Sequence, residues 1–209
     1  MDLFDEMPHI ESKRLVLREF VSSDADALNR FSHNQRIYRL LPTFLYEQRY
    51  NDARVVIERT RAECFDTKES ILLAICPRKD PQKMMGIAEI YAYEPRKPKA
   101  SIGYRISRRY WGQGIATEVA GMLKSYLLDE VHMRTITAHV IRKNIPSALA
   151  LKKNGLFRLY PGVWEDWGQD KPVLVDKWIY KRRWGNQGPT QEEIEKALAA
   201  IKQTQSQSA

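Results

Sequence analysis

The chain has 209 residues, 43% hydrophobic and 29% charged, with a formal net charge of +8. That length fits one domain able to bury about 70% of its unfolded surface. No apolar run approaches the roughly 20 residues of a membrane span, so no membrane partner is expected. The acidic start, Met1-Asp2-Leu3-Phe4-Asp5-Glu6, is unlike a signal peptide. Two cysteines, Cys64 and Cys76, are too few for a disulfide framework and lack metal-ligand spacing. They read as reduced thiols of a cytoplasmic protein with no metal site. The positive charge suits an anionic partner, nucleic acid or a polyphosphate cofactor, and equally an ordinary solvated surface. Its basic residues are scattered in short clusters at 105–109, 142–143, 152–153 and 181–183, and no long run argues for a nucleic-acid tail.

In chain order, Arg14 to Phe20 alternates as a first strand. Ser22-Ser23-Asp24 offers N-caps for a short helix through Leu28 and Phe31. Glu47 to Phe65 reads as a longer helix with a ragged apolar stripe. Ser70 to Cys76 and Lys83 to Tyr93 form a hairpin about the turn Pro77–Pro81, and Ala100 to Ile106 is the next strand. From Ala116, residues Val119, Ala120, Leu123, Tyr126 and Leu127 give a helix one buried face. Thr135 to Ile141 is a strand with Ile136, Ala138 and Val140 on one face. Asn144-Ile145-Pro146-Ser147 starts a helix that Gly155 closes at C′. Leu156 to Trp164 and Val173 to Tyr180 are the last strands. The composition changes after Trp184: residues 185–189 form a linker, Glu192 to Lys202 a small amphipathic helix, and Gln203 to Ala209 a polar tail of disordered composition. The fold class is α/β in the α+β sense, a central and mainly antiparallel mixed sheet flanked by helices. Residues 1–184 are one domain, with 185–209 appended.

The stretch Arg109-Tyr110-Trp111-Gly112-Gln113-Gly114-Ile115-Ala116-Thr117 lies between a strand and a helix. Two glycines one residue apart allow a tight turn and close approach to a ligand. The amides that follow are the unpaired donors of a helix N-terminus, suited to phosphate. A dinucleotide fingerprint needs a third glycine where Thr117 stands, and a P-loop needs Gly-Lys-Ser/Thr; both are absent.

The remaining pattern, Arg-x-x-Gly-x-Gly at Arg109 to Gly114, resembles the acyl-CoA pyrophosphate loop of the GNAT N-acetyltransferases. Lys13–Arg18, Ile102–Ile106, Tyr110–Glu118, Asn144-x-x-Ser147, Lys153-x-Gly155 and Asp176 are similar to the RimJ/RimL-like branch, so the likeness spans about residues 13 to 182. It implies a sheet whose two adjacent parallel strands splay into a V holding acetyl-CoA as co-substrate. The pantetheine arm would pair with the backbone of Tyr104, Arg105 and Ile106. The pyrophosphate would rest on the amides of Trp111, Gly112, Gln113, Gly114, Ile115 and Ala116, with Arg109 and Thr117 of the same loop also binding the cofactor. Asn144 and Lys153 would reach toward the pantetheine and the adenosine phosphate side. The implied activity is direct transfer of acetyl to a primary amine, a small molecule or a protein N-terminus, in a ternary complex. A non-catalytic module that binds or senses CoA is the alternative.

Such transfer needs a neutral amine, a polarised thioester carbonyl and a stabilised thiolate. Many GNAT enzymes place a tyrosine seven residues after the motif asparagine; here that position is Leu151. The resemblance offers Ser147 instead, as a hydrogen-bond donor to the thiolate, with helix capping as its other reading. Glu89, on a strand face with Ile87 and Tyr91, is either the base or half of an ion pair. His139, opposite Ile136, Ala138 and Val140, is a second candidate base, or a packed sheet residue. Glu165, Asp166 and Trp167, in the segment Trp164–Asp170, suit a cationic acceptor or an ordinary turn. Leu41 to Tyr46 is expected as the opposite wall. The branch's acid after the helix-closing Gly-Phe is missing, because Gly155-Leu156-Phe157-Arg158 carries none and has an extra residue. That departure argues against carrying over the branch's ribosomal-protein acceptor. The terminal helix either covers a homodimer partner or packs on its own domain.

Overall fold

The computed structural model describes residues 2–184 and 187–206. Its strands are β1 (Ile10–Glu11), β2 (Leu15–Arg18), β3 (Ser70–Pro77), β4 (Gly86–Glu94), β5 (Lys99–Ile106), β6 (Thr135–Ile141), β7 (Phe157–Glu165) and β8 (Val173–Lys181). They form one sheet in the order β1-β2-β3-β4-β5-β6-β8-β7. Every neighbouring pair is antiparallel except β5 and β6. The helices are α1 (Ala25–Ser32), α2 (Gln35–Tyr38), α3 (Ala53–Thr67), α4 (Ile115–Asp129), α5 (Ile145–Lys153) and α6 (Gln191–Ser206).

Period-two alternation places the helices on the two sheet faces. Ala88, Ile90, Ala100, Ile102, Ile136, Ala138 and Val140 point to the face covered by α4 and α5. Val16, Leu72, Ala74 and Ile87 point to the other face, under α1 to α3. The β5–β6 ladder pairs only Lys99 with Thr135, Ala100 with Ile136 and Ser101 with Thr137. Beyond it β5 continues to Ile106 and β6 to Ile141 without pairing, so the strands part into a V. Buried Ser101 and Thr137 join their hydroxyls at 2.7 Å at the vertex.

Three segments depart from the sequence expectation. The long helix begins at Ala53 rather than Glu47, because Asp52 caps it by accepting from the Arg54 N–H. Glu47 instead sits in a separate 3-10 turn, Tyr46–Gln48, fully buried. Ser22–Asp24 is a 3-10 turn before α1, and Asp24 does not cap that helix; it takes a bidentate bond from Arg18. The terminal helix runs on to Ser206, through the first part of the stretch expected to be disordered, while residues 207–209 lie outside the described residues. Within the expected linker, residues 185–186 also lie outside them. A capping box between Thr190 and Glu193 starts α6, which packs on β7 of its own chain.

Candidate active site

The glycine loop leaves β5 through a 3-10 turn, Arg108–Tyr110. Gly112 and Gly114 both sit at φ 75°, in the left-handed region that favours glycine. A Cβ at Gly112 would meet nothing within 4 Å, so the backbone there is bare to solvent. Gly114 is the N-cap of α4 and has no side chain to satisfy the first amides of Ile115, Ala116 and Thr117. The loop is braced from outside its own segment. Arg14 donates to the Gln113 carbonyl at 3.2 Å and pairs with Glu118, whose other oxygen takes the Ser12 hydroxyl at 2.6 Å. Trp111, half-exposed, donates its indole N–H to the Ile106 carbonyl at 2.7 Å, tying the loop to the end of β5. Gln113 donates to the Arg109 carbonyl, and Arg109 lies over the Tyr110 ring.

On the α5 side of the V, Asn144 caps the helix by accepting from the Ser147 N–H. Capping therefore does not occupy the Ser147 hydroxyl. That hydroxyl lies 3.1 Å from the hydroxyl of Tyr104, whose side chain reaches from β5 to α5. Nothing local in the sequence pairs residues 43 apart, so this contact was not legible. Lys153 is exposed at the far end of α5, roughly 13 Å along the axis from Asn144. There the neighbouring Asn154 bridges to the Thr117 carbonyl of α4 at 2.9 Å.

The opposite face carries the charged groups. Glu89 pairs with Gly103 across β4 and β5. Continuing the β5–β6 register by two residues places His139 opposite Gly103, where the strands have parted. One row across three strands therefore reads Glu89, Gly103, His139. Gly103 leaves a floor without a side chain, over which Glu89 and Tyr91 lean to 3.7 and 3.6 Å of where a Cβ would stand. Glu89 is bound to Arg105, and Arg105 also makes a two-point pair with Glu47. Tyr38 completes the cluster by donating to Glu47 at 2.7 Å. Burial opposes the Arg105 charge, but Glu47 and Glu89 outweigh it and hold the guanidinium protonated. The side chain of Arg105 thus serves this network, leaving only its backbone to the V. Sequence propensity starts a helix at Glu47 and gives no sign of this cluster, because its partner Arg105 is 58 positions away.

Burial pushes His139 below the ordinary histidine value; Lys177 and Lys99 push the same way and Glu165 opposes. The surroundings thus favour the neutral imidazole. Burial lowers Lys177 as well, with Lys99 adding to it. Burial and the carboxylates of Glu89 and Glu165 push the Tyr91 hydroxyl up.

The 164–170 segment divides. Glu165 lies near His139 and accepts from the Trp167 indole at 2.8 Å. Trp167 itself is buried with Ile141 and Val175, and Asp166 is exposed and closes the turn by accepting from Gly168 N–H. The 41–46 stretch, expected as the opposite wall, is bonded to this segment at Leu41 and Thr43. Thr43 N–H donates to the Trp167 carbonyl at 2.9 Å, and Gln169 donates to the Leu41 carbonyl at 3.1 Å.

Among the described residues no His/Cys/Asp/Glu group is arranged for a metal ion, and no helix is long and apolar enough to cross a membrane. The acetyltransferase (GNAT) domain model matches residues 14–156. The chain is 27% identical over 158 residues to the uncharacterized N-acetyltransferase YoaA of Bacillus subtilis, covering 73% of this chain and 88% of that one. A putative ribosomal-protein-serine acetyltransferase from Vibrio cholerae superposes with a TM-score of 0.65 at 23% identity, over 84% of this chain and all of that one. Spermidine N-acetyltransferase from Vibrio cholerae, solved with CoA and spermine, gives 0.68 at 14% identity, over 82% and 98%. The chain belongs to the GNAT acetyltransferase family and is an acyltransferase.

Proposed function

We propose that this protein moves an acetyl group from acetyl-CoA to a primary amine by direct attack in a ternary complex, in the cytoplasm, through residues 1–184. The observation that carries the reading is the row Glu89, Gly103, His139 at the mouth of the splayed strands. The donor would lie in the V, its pyrophosphate on the 111–117 loop, where the Trp111 N–H is held by the Arg108 carbonyl and the amides of Ile115 to Thr117 are open, and its pantetheine along the backbone of Tyr104 to Ile106. Asn144 and Lys153 would flank it at the two ends of α5. The floor over Gly103 leaves room for an amine beside the thioester carbonyl.

In this arrangement the neutral His139 takes the amine proton, directly or through one water. Glu89, fixed by Arg105, orients the incoming nitrogen through its carboxylate. Glu165 adds negative charge for a cationic acceptor, consistent with the spermine bound in a protein of the same fold. Asp166 and Trp167 support this rim by closing the turn and packing beneath it. The Asn-x-x-Ser and Lys-x-Gly motifs favour the RimJ/RimL-like branch, and a protein N-terminus remains an acceptor class beside polyamines.

The test is release of free CoA thiol from acetyl-CoA with spermidine, spermine, amino acids, aminoglycosides and N-terminal peptides in turn. Acceleration by at least one amine class is expected. Tight acetyl-CoA binding with no acceleration by any class would overturn the reading in favour of a CoA-sensing module.

A further inference from the structure

The family pattern leaves this chain without the tyrosine that many relatives carry in the α5 helix, since Leu151 stands there and is buried. A tyrosine hydroxyl nonetheless arrives at the same helix from another strand. Tyr104 projects from β5 across the V on the α4–α5 face. Its hydroxyl lies 3.1 Å from Ser147 Oγ and 3.3 Å from the Ser147 carbonyl oxygen. The Ser147 N–H is held by Asn144, which fixes the first turn of α5. We propose that Tyr104 is a positioning residue for the leaving group, acting through Ser147: the phenol donates to Ser147 Oγ, freeing the serine hydroxyl to donate to the departing thiolate of CoA.

This deepens the acetyl-transfer reading and rests on it. The electron balance is simple. The amine nitrogen bonds to the carbonyl carbon, the C–S bond breaks, and its pair stays on sulfur. Ser147 O–H points at that sulfur and Tyr104 O–H points at Ser147 Oγ. Neither hydroxyl gives up its proton; the proton released by the amine leaves by the base on the opposite face.

Three observations support the arrangement. The Tyr104–Ser147 contact admits either hydroxyl as donor, so the pair reorients by rotation alone. Before the thiolate forms, Ser147 can donate to Tyr104 while Tyr104 donates to the Ser147 carbonyl, so no donor is stranded. Burial pushes the Tyr104 phenol up to about 12, with the Ser147 bond pulling the other way, so it remains a donor through the working range. Chained hydrogen bonds strengthen one another in a site shielded from water.

The test needs no acceptor. The affinities of CoA and desulfo-CoA, which lacks the thiol, are measured by calorimetry from pH 6.5 to 9.5. The ratio cancels the titration of phosphates and of the groups facing the V: Glu89, Arg105, His139, Glu165 and Lys177 on the opposite face, and Lys152 and Lys153 on α5. Wild-type preference for CoA should climb with pH, by up to about tenfold per pH unit once the bound thiol ionises ahead of the free one. Tyr104→Phe and Ser147→Ala should each flatten that climb, and Ser147→Thr, which keeps the hydroxyl, should restore it. A climb unchanged in Tyr104→Phe, with desulfo-CoA still bound normally, would overturn the role of Tyr104. A wild-type ratio flat with pH would overturn the proposal as a whole while leaving acetyl-CoA binding intact. Failure of both ligands to bind wild type would instead remove the acetyl-transfer reading on which it rests.

Discussion

On the proposed acetyl-transfer reading, the donor and acceptor sides of the V are built from different materials. The donor side is main chain: two parted strands, two glycines at φ 75° and the open end of α4. The acceptor side is side chains drawn together from afar, with Glu47 against Arg105 and Glu89, and Thr43 against Trp167. A backbone site recognises what every acyl-CoA shares. A side-chain site can be rebuilt without disturbing the strands beneath it. One fold can thus keep its cofactor while its acceptor changes.

Substitutions separate the two sides. The largest effect is expected at the loop: the Cβ of Gly112→Trp would meet no neighbour within 4 Å, but the substitution strains a positive φ and places an indole over the amides. It should abolish the rise in melting temperature that acetyl-CoA gives wild type. Glu47→Gln breaks a buried ion pair, leaving Arg105 short of charge. A loss of roughly 3–5 kcal/mol in denaturant unfolding is expected, with the acceptor side failing through the fold. His139→Asn should lower kcat about 100-fold or more and leave acetyl-CoA affinity unchanged. In wild type, because the base must be neutral and its value is lowered, kcat/KM should hold as pH falls below the ordinary histidine value of about 6.5 and drop only beyond it. Gly103→Val should raise the acceptor KM by crowding Glu89 and Tyr91 while sparing the acetyl-CoA KM. Smallest, Arg14→Ala should raise the acetyl-CoA KM a few-fold without changing kcat, since Arg14 only steadies Gln113 and Glu118.

The same division explains what the sequence revealed. Gly112, Gly114 and Pro146 act through their own φ and their immediate neighbours, so the loop and the start of α5 were legible. Strand faces were legible too: His139 does oppose Ile136, Ala138 and Val140, because a period of two needs no tertiary knowledge. The start of α3 was misplaced because Glu47 has good helix propensity, whereas its burial against Arg105, 58 residues on, draws it out of that helix. The Tyr104 backbone could be assigned to the pantetheine by resemblance, but the reach of its side chain to Ser147 depends on how β5 meets α5, which no local pattern shows. Trp167 and Asp166 have the composition of a binding rim; that one packs against Ile141 and Val175 and the other accepts from Gly168 N–H is tertiary and turn detail that composition does not carry.

The most direct test titrates acetyl-CoA into Gly112→Trp and His139→Asn side by side, by calorimetry. A donor site made of backbone predicts no binding for the first and wild-type affinity for the second, with its turnover lost. Wild-type affinity in Gly112→Trp, or a loss of affinity in His139→Asn as large as its loss of turnover, would contradict it.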